Sequence, residues 1–194
     1  MVFEWKASED NLLGTDKTTL HSYGEVYESI FQKLRPILSP TLMEIGVLSG
    51  ASIVNLAHEF PRSTIYAVDI DLSNVLYRDD VPSWSTVHWV QMDATVHTHP
   101  SLLAEESFDL IIDDGSHCAD DILKAFDVWA KRLNNGGFYV IEDLTETVLQ
   151  NIFGQLKKIA TTLSMTLEIH DLRSVKGRWD DILIVGRRGD NGGV

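Results

Sequence analysis

The apolar positions of this chain change period along its length, and the changes mark its elements. In "YGEVYESIFQKLRPIL" (23–38), Val26, Ile30, Phe31, Leu34 and Leu38 share one side at helical spacing, which predicts an amphipathic helix. Pro36 interrupts it near its end. Short apolar runs then alternate with helical patterns. "TLMEIG" (41–46), "STIYAVDI" (63–70), "TVHWVQMD" (86–93), "FDLIIDD" (108–114) and "FYVIED" (138–143) read as strands. "SGASIVNLAHEF" (49–60), "ADDILKAFDVWAKRL" (119–133) and "VLQNIFGQLKKIATTL" (148–163) read as helices between them. Asn134-Asn135-Gly136-Gly137 reads as the glycine-rich cap that ends the second of these. Two further strands, "TLEIHDLR" (166–173) and "DDILIVGRR" (180–188), follow with "SVKGRWD" in the gap, as in an antiparallel hairpin. The alternation predicts an α/β fold: a mostly parallel sheet with helices on both faces, closed by that hairpin.

The domain plan that follows is an N-terminal cap segment and helix over 1–40, a core over 41–188 and a flexible tail over 189–194. No internal repeat interrupts it. The net charge of −13 argues against a nucleic-acid partner, which would need a basic surface, and equally against an anionic membrane. The single cysteine, Cys118, excludes an intramolecular disulfide and fits a reducing, cytoplasmic setting. The first residues carry no signal-peptide pattern and no membrane span is expected. Homo-oligomerisation, and attachment to a larger protein, both stay open.

Ligands of such sheets sit beyond the C-terminal ends of the strands, and here five successive strand ends are acidic. They contribute Glu44, then Asp69 and Asp71, then Asp93, then Asp113 and Asp114 with His117 close behind, then Glu142 and Asp143. One acid could cap a helix; the series points to a polar ligand and a metal. The loop "EIGVLSGAS" places Gly46 and Gly50 ahead of a helix, without the third glycine of nicotinamide binders. Asp69, at the next strand end, has the spacing of an acid that holds ribose hydroxyls, and Asp93 is placed to reach an adenine edge.

"EIGVLSG", "AVDID", "QMDAT" and the terminal hairpin together resemble class I S-adenosylmethionine-dependent methyltransferases. "GTDKTTLHSYGEVYE" (14–28), "IIDDGSH" (111–117) and "GGFYVIEDL" (136–144) are more specifically similar to the macrolide-sugar O-methyltransferases that act on deoxysugars of mycinamicin and tylosin. The likeness runs over about residues 14 to 187. It implies a Rossmann-like, doubly wound, seven-stranded sheet. It also implies S-adenosylmethionine and Mg²⁺ as cofactors and a sugar or glycan acceptor, such as a rhamnose-type deoxyhexose. Carried over by position, the cofactor contacts would be Glu44, Gly46, Gly50, Ser52, Asp69, Asp71, Asp93, Ala94 and Asp113, with Thr15 and Lys17 from the N-terminal segment. The metal ligands would be Asp114, Glu142 and Asp143. His117 would be the general base, working with Asp114.

Glu142 and Asp143 are adjacent, and on a regular strand they would face opposite sides; both reach one ion only if the strand ends there and the chain turns. In the N-terminal segment Asp16, His21 and Tyr23 are further candidates for closing the site, and Trp179 for stacking on a sugar or filling a dimer contact. The macrolide enzymes are considerably longer than this chain, so acceptor recognition built on their extra segments need not transfer. A catechol-like diol as acceptor, or a non-catalytic nucleotide-binding domain fused to a glycosyltransferase, are the competing readings.

Overall fold

The structure is a computed structural model and describes residues 15–96, 103 and 106–190. The outer parts of the cap segment and tail, 1–14 and 191–194, lie outside those residues.

Seven strands form one sheet: β1 Thr41–Ile45, β2 Thr64–Asp69, β3 Thr86–Gln91, β4 Phe108–Asp113, β5 Leu133–Ile141, β6 Met165–Asp171 and β7 Ile182–Arg188. Their order is β3-β2-β1-β4-β5-β7-β6. The first five run parallel, and β7 lies antiparallel between β5 and β6. Among the described residues, six α-helices flank the sheet: α1 Asp16–Thr19, α2 Gly24–Leu34, α3 Ala51–Glu59, α4 Ala119–Trp129, α5 Glu146–Thr162 and α6 Arg173–Lys176.

Strand alternation divides the core in two. Leu110 and Ile112 of β4, with Phe138 and Val140 of β5, pack with Tyr27 and Phe31 of α2 and Ile53 and Leu56 of α3. Ile111, Tyr139 and Ile141 point the other way, onto Phe126 and Trp129 of α4 and Ile152 and Leu156 of α5. Burying a side chain of this size contributes about 1.5–3 kcal/mol, so strands buried on both faces read as apolar runs rather than alternating ones.

Two local expectations change. Asn134–Gly137 do not cap α4, which ends at Trp129; they belong to β5, whose register against β4 shifts between Phe108 and Leu110. A side-chain carbon at Gly137 would lie 2.9 Å from the Asn134 carbonyl and 3.1 Å from that of Phe108, so the bare backbone lets the two strands close up. The hairpin gap is also not a plain turn: it contains α6, ended by Gly177 at φ +75°.

Candidate active site

Because β1 has β2 on one side and β4 on the other, the strand order reverses at β1 and opens a crevice at its C-terminal end. Gly46 leaves β1 at φ +81°, and a side-chain carbon there would sit 2.1 Å from the Asp114 carbonyl oxygen. Only glycine fits, which brings the β1 and β4 exits into direct contact. The following loop is held from the side by Asp69. Its Oδ2 accepts the Val47 and Leu48 amides at 2.8 and 3.3 Å, and its Oδ1 accepts the Asp71 amide at 3.0 Å. The result is a cleft of about 750 Å³.

Of the residues singled out in the sequence, Thr15, Glu44, Gly46, Ser52, Asp69, Asp71, Asp93, Ala94, Asp113, Asp114, His117 and Asp143 all line this cleft. Lys17, Gly50 and Glu142 are not among its lining residues. Gly50 lies behind it at the start of α3, in the left-handed region at φ +87°. Lys17 and Glu142 form part of a buried charge cluster beneath the floor.

That cluster is the least expected part of the site. The Lys17 ammonium, 1% exposed, donates to Asp114 Oδ2 at 2.6 Å and to Glu142 Oε2, and lies 3.4 Å from Glu44 Oε1. Burial alone would drive the ammonium towards its neutral form; the charges of Asp114, Glu142 and Glu44 outweigh it and hold its pKa well above the ordinary lysine value. Glu142 also accepts the Tyr27 hydroxyl, and Glu44 accepts the Ser52 hydroxyl at 2.7 Å. Burial raises the pKa of both carboxyls, most strongly that of Glu142, with the Asp114 charge adding to the rise and Lys17 opposing it.

The strand end answers the question about the adjacent acids. β5 stops at Ile141, and Asp143 turns in the left-handed region at φ +55°. Glu142 goes inward to Lys17 and Tyr27, while Asp143 reaches the cleft. There Asp143 Oδ1 accepts the Tyr23 hydroxyl at 2.6 Å and lies 3.4 Å from His21 Nδ1. Burial, then the charge of Asp114, raises its pKa. Asp113 is pushed up to about 7 by burial.

His117 also adopts φ +55°, a conformation disfavoured for a residue with a side chain. Its Nε2 is 4.0 Å from Asp114 Oδ1. Asp114, His117 and Asp143 each offer one donor atom, all within 4.8 Å of one another. Two carboxylates offer the hard oxygen donors that suit Mg²⁺, with the imidazole beside them. His117 is not a helix cap: Cys118 occupies that position of α4.

Some functional neighbours were hidden in the sequence. Tyr27 of α2, not singled out in the sequence, lies four residues after Tyr23, and the two hydroxyls reach Glu142 and Asp143. Asp181, read only as the start of a strand, accepts from the Ser22 amide and sits 3.2 Å from His21 Nδ1.

Residues 43–144 match the family described as a methyltransferase domain. The chain belongs to that family. The chain is 36% identical over 141 residues to 8-demethyl-8-alpha-L-rhamnosyl tetracenomycin-C 2'-O-methyltransferase of Streptomyces olivaceus, covering 68% of this chain and 35% of the relative. It is also 36% identical over 114 residues to L-olivosyl-oleandolide 3-O-methyltransferase of Streptomyces antibioticus, covering 53% of this chain and 27% of the relative. It thus spans about a third of these relatives' length. Among solved structures, the mycinamycin-pathway methyltransferase MycE in complex with Mg, SAH and mycinamycin VI shares the fold. The TM-score is 0.65 at 22% identity, over 90% of this chain and 52% of that one. Among the described residues, no helix is long and apolar enough to cross a membrane.

Proposed function

We propose that this domain is the catalytic core of a Mg²⁺-dependent S-adenosylmethionine O-methyltransferase acting on a sugar hydroxyl, with a deoxyhexose such as rhamnose as acceptor. The observation that carries this is that one cleft is lined both by the Gly46 loop, Asp71 and Asp93 and by the cluster of Asp114, His117 and Asp143. Relatives named as methyltransferases of rhamnosyl and olivosyl compounds support the choice of acceptor.

At the cofactor end, Asp69 sets the path of the loop through three backbone amides. Asp71 and Asp93, each turned by a hydrogen bond to a nearby backbone amide, present carboxylates to polar groups of the ligand. S-adenosylmethionine supplies an electrophilic methyl group on a positively charged sulfur. At the acceptor end, Asp114 and Asp143 would hold Mg²⁺, and the ion would make a neighbouring hydroxyl more acidic. Glu142 is buried and does not line the cleft, so the metal reading rests on the two aspartates, of which Asp114 gives Oδ2 to Lys17 and turns Oδ1 towards His117. His117 would take the proton of the acceptor hydroxyl, and the oxygen would gain the methyl group from the sulfonium, whose sulfur would keep the electron pair. Holding both partners in one cleft supplies proximity and orientation.

The test is a calorimetric titration with S-adenosylhomocysteine and Mg²⁺, followed by methyl transfer to sugar and catechol acceptors side by side. One micromolar site per chain and transfer to a sugar are expected; no binding removes the reading. His117→Ala should slow turnover by about 10²–10⁴-fold, the usual worth of a general base, with S-adenosylhomocysteine affinity unchanged. Turnover at the parent rate would exclude His117 as the base.

A further inference from the structure

The segment between α6 and β7 carries a second cleft that the proposed reaction leaves unused. It holds about 490 Å³ and is lined by Asp171, Arg173, Ser174, Gly177, Arg178 and Trp179. We infer that this cleft is a subsite for the aglycone of the acceptor glycoside, an apolar or aromatic ring system, with Trp179 as its platform. The inference rests on the reading of the acceptor as a sugar hydroxyl.

Trp179 is 71% exposed. A large aromatic surface left in water is unfavourable unless something covers it, and a tryptophan with a solvated edge is well suited to a flat ligand. Its backbone is fixed on both sides. The Arg178 guanidinium grips the Asp180 carboxylate with bonds of 3.1 and 2.8 Å, and the following residue, Asp181, is buried against His21 and Ser22. A platform held this way loses little freedom when a ring settles on it.

Charge selects the kind of ligand. Arg173 is paired with Asp171 at 2.6 Å and with Glu146 at 2.8 Å, and Arg178 with Asp180 at 2.8 Å. Both guanidinium groups are neutralised by their own neighbours, in a protein of net charge −13. A phosphate or other anion would find no uncommitted guanidinium in this cleft; a neutral ring does not need one. Lys176 ties α6 to the end of α1: its ammonium donates to the carbonyls of Thr18, Thr19 and His21.

Position links the subsite to the chemistry. The Tyr23 hydroxyl donates to Asp143 at 2.6 Å, and the Asp180 carbonyl lies 3.4 Å from the same oxygen. Trp179 therefore stands one residue from a carbonyl that touches the tyrosine holding a proposed metal ligand. Tyr23 thus connects the Asp143 end of the first cleft to this turn.

The experiment compares methyl α-L-rhamnoside with 4-nitrophenyl α-L-rhamnoside, by calorimetry on the protein loaded with S-adenosylhomocysteine and Mg²⁺. The parent should bind the nitrophenyl glycoside about 2- to 10-fold more tightly, in line with the usual worth of aromatic stacking. Trp179→Ala should erase that preference, Trp179→Phe should keep most of it, and neither should alter S-adenosylhomocysteine affinity. A preference that survives Trp179→Ala, or a parent that shows none or binds neither glycoside, overturns the inference. So does a change in molar mass on Trp179→Ala, measured by light scattering, which would make Trp179 a contact between copies. Loss of S-adenosylhomocysteine binding or methyl transfer in the parent would instead count against the proposed function, so the two failures are distinct.

Discussion

Lys17 shows how one side chain can hold a site together. Three carboxylates from three strand ends converge on a single buried ammonium. Removing one partner of such a group leaves charge buried without compensation, at about 3–5 kcal/mol. Lys17→Met is therefore expected to lower the urea-unfolding free energy by that amount, and adding Glu142→Gln should return part of it, because the two changes act on one interaction. A parent-like midpoint for Lys17→Met would mean that the carboxyls are neutral without it. Gly46→Ala tests the opposite extreme, a position where any side chain collides with backbone. It should abolish S-adenosylhomocysteine binding; retained affinity would mean that the β1 exit is not the cofactor loop. The acids of the cleft were legible in the sequence because they terminate apolar runs. The role of Lys17 was not, since its partners Asp114 and Glu142 lie 97 and 125 residues away.

At the scale of elements, the parallel strands could be read directly because burial on both faces makes them apolar throughout. Asn134–Gly137 misled because glycine pairs mark helix ends and irregular strands alike; only the approach of the Phe108 carbonyl separates the two cases. The short helices α1 and α6 could not be seen, having too few residues to show a period. They depend on each other instead: Lys176 of α6 ties down the carbonyls at the end of α1. Lys176→Met should raise amide hydrogen exchange in residues 16–23 while leaving that of β1 and β4 unchanged, as expected for a locally opening unit. Uniform exchange across the chain would contradict this.

At the scale of the molecule, acidic groups outnumber basic ones by 29 to 16, and the acids at one edge of the sheet concentrate the excess there. Self-repulsion of that kind weakens the compact state and is screened by salt. Raising NaCl from 20 to about 300 mM should stabilise the protein; a gain of about 1 kcal/mol would move Tm upward by about 2–4 °C. A Tm that falls with salt would show that attractive pairs such as Arg35 with Glu28 and Glu59 dominate over repulsion. The general architecture was legible at this scale, because one apolar run maps to one strand. The closure of the edge by residues 15–23 was not, because it depends on contacts such as His21 with Asp181, 160 positions apart.

The position of β7 carries a consequence for how the chain is made. It follows β6 in the chain and yet lies between β5 and β6. While the chain emerges from the ribosome, β5 has an open edge and β6 has no neighbour until residues 182–188 arrive. Exposed edges invite pairing with other chains. Asp181, the partner of His21, emerges immediately before β7. This domain therefore completes its sheet and anchors residues 15–23 in one step, and the interval before β7 emerges is when it is most prone to aggregate.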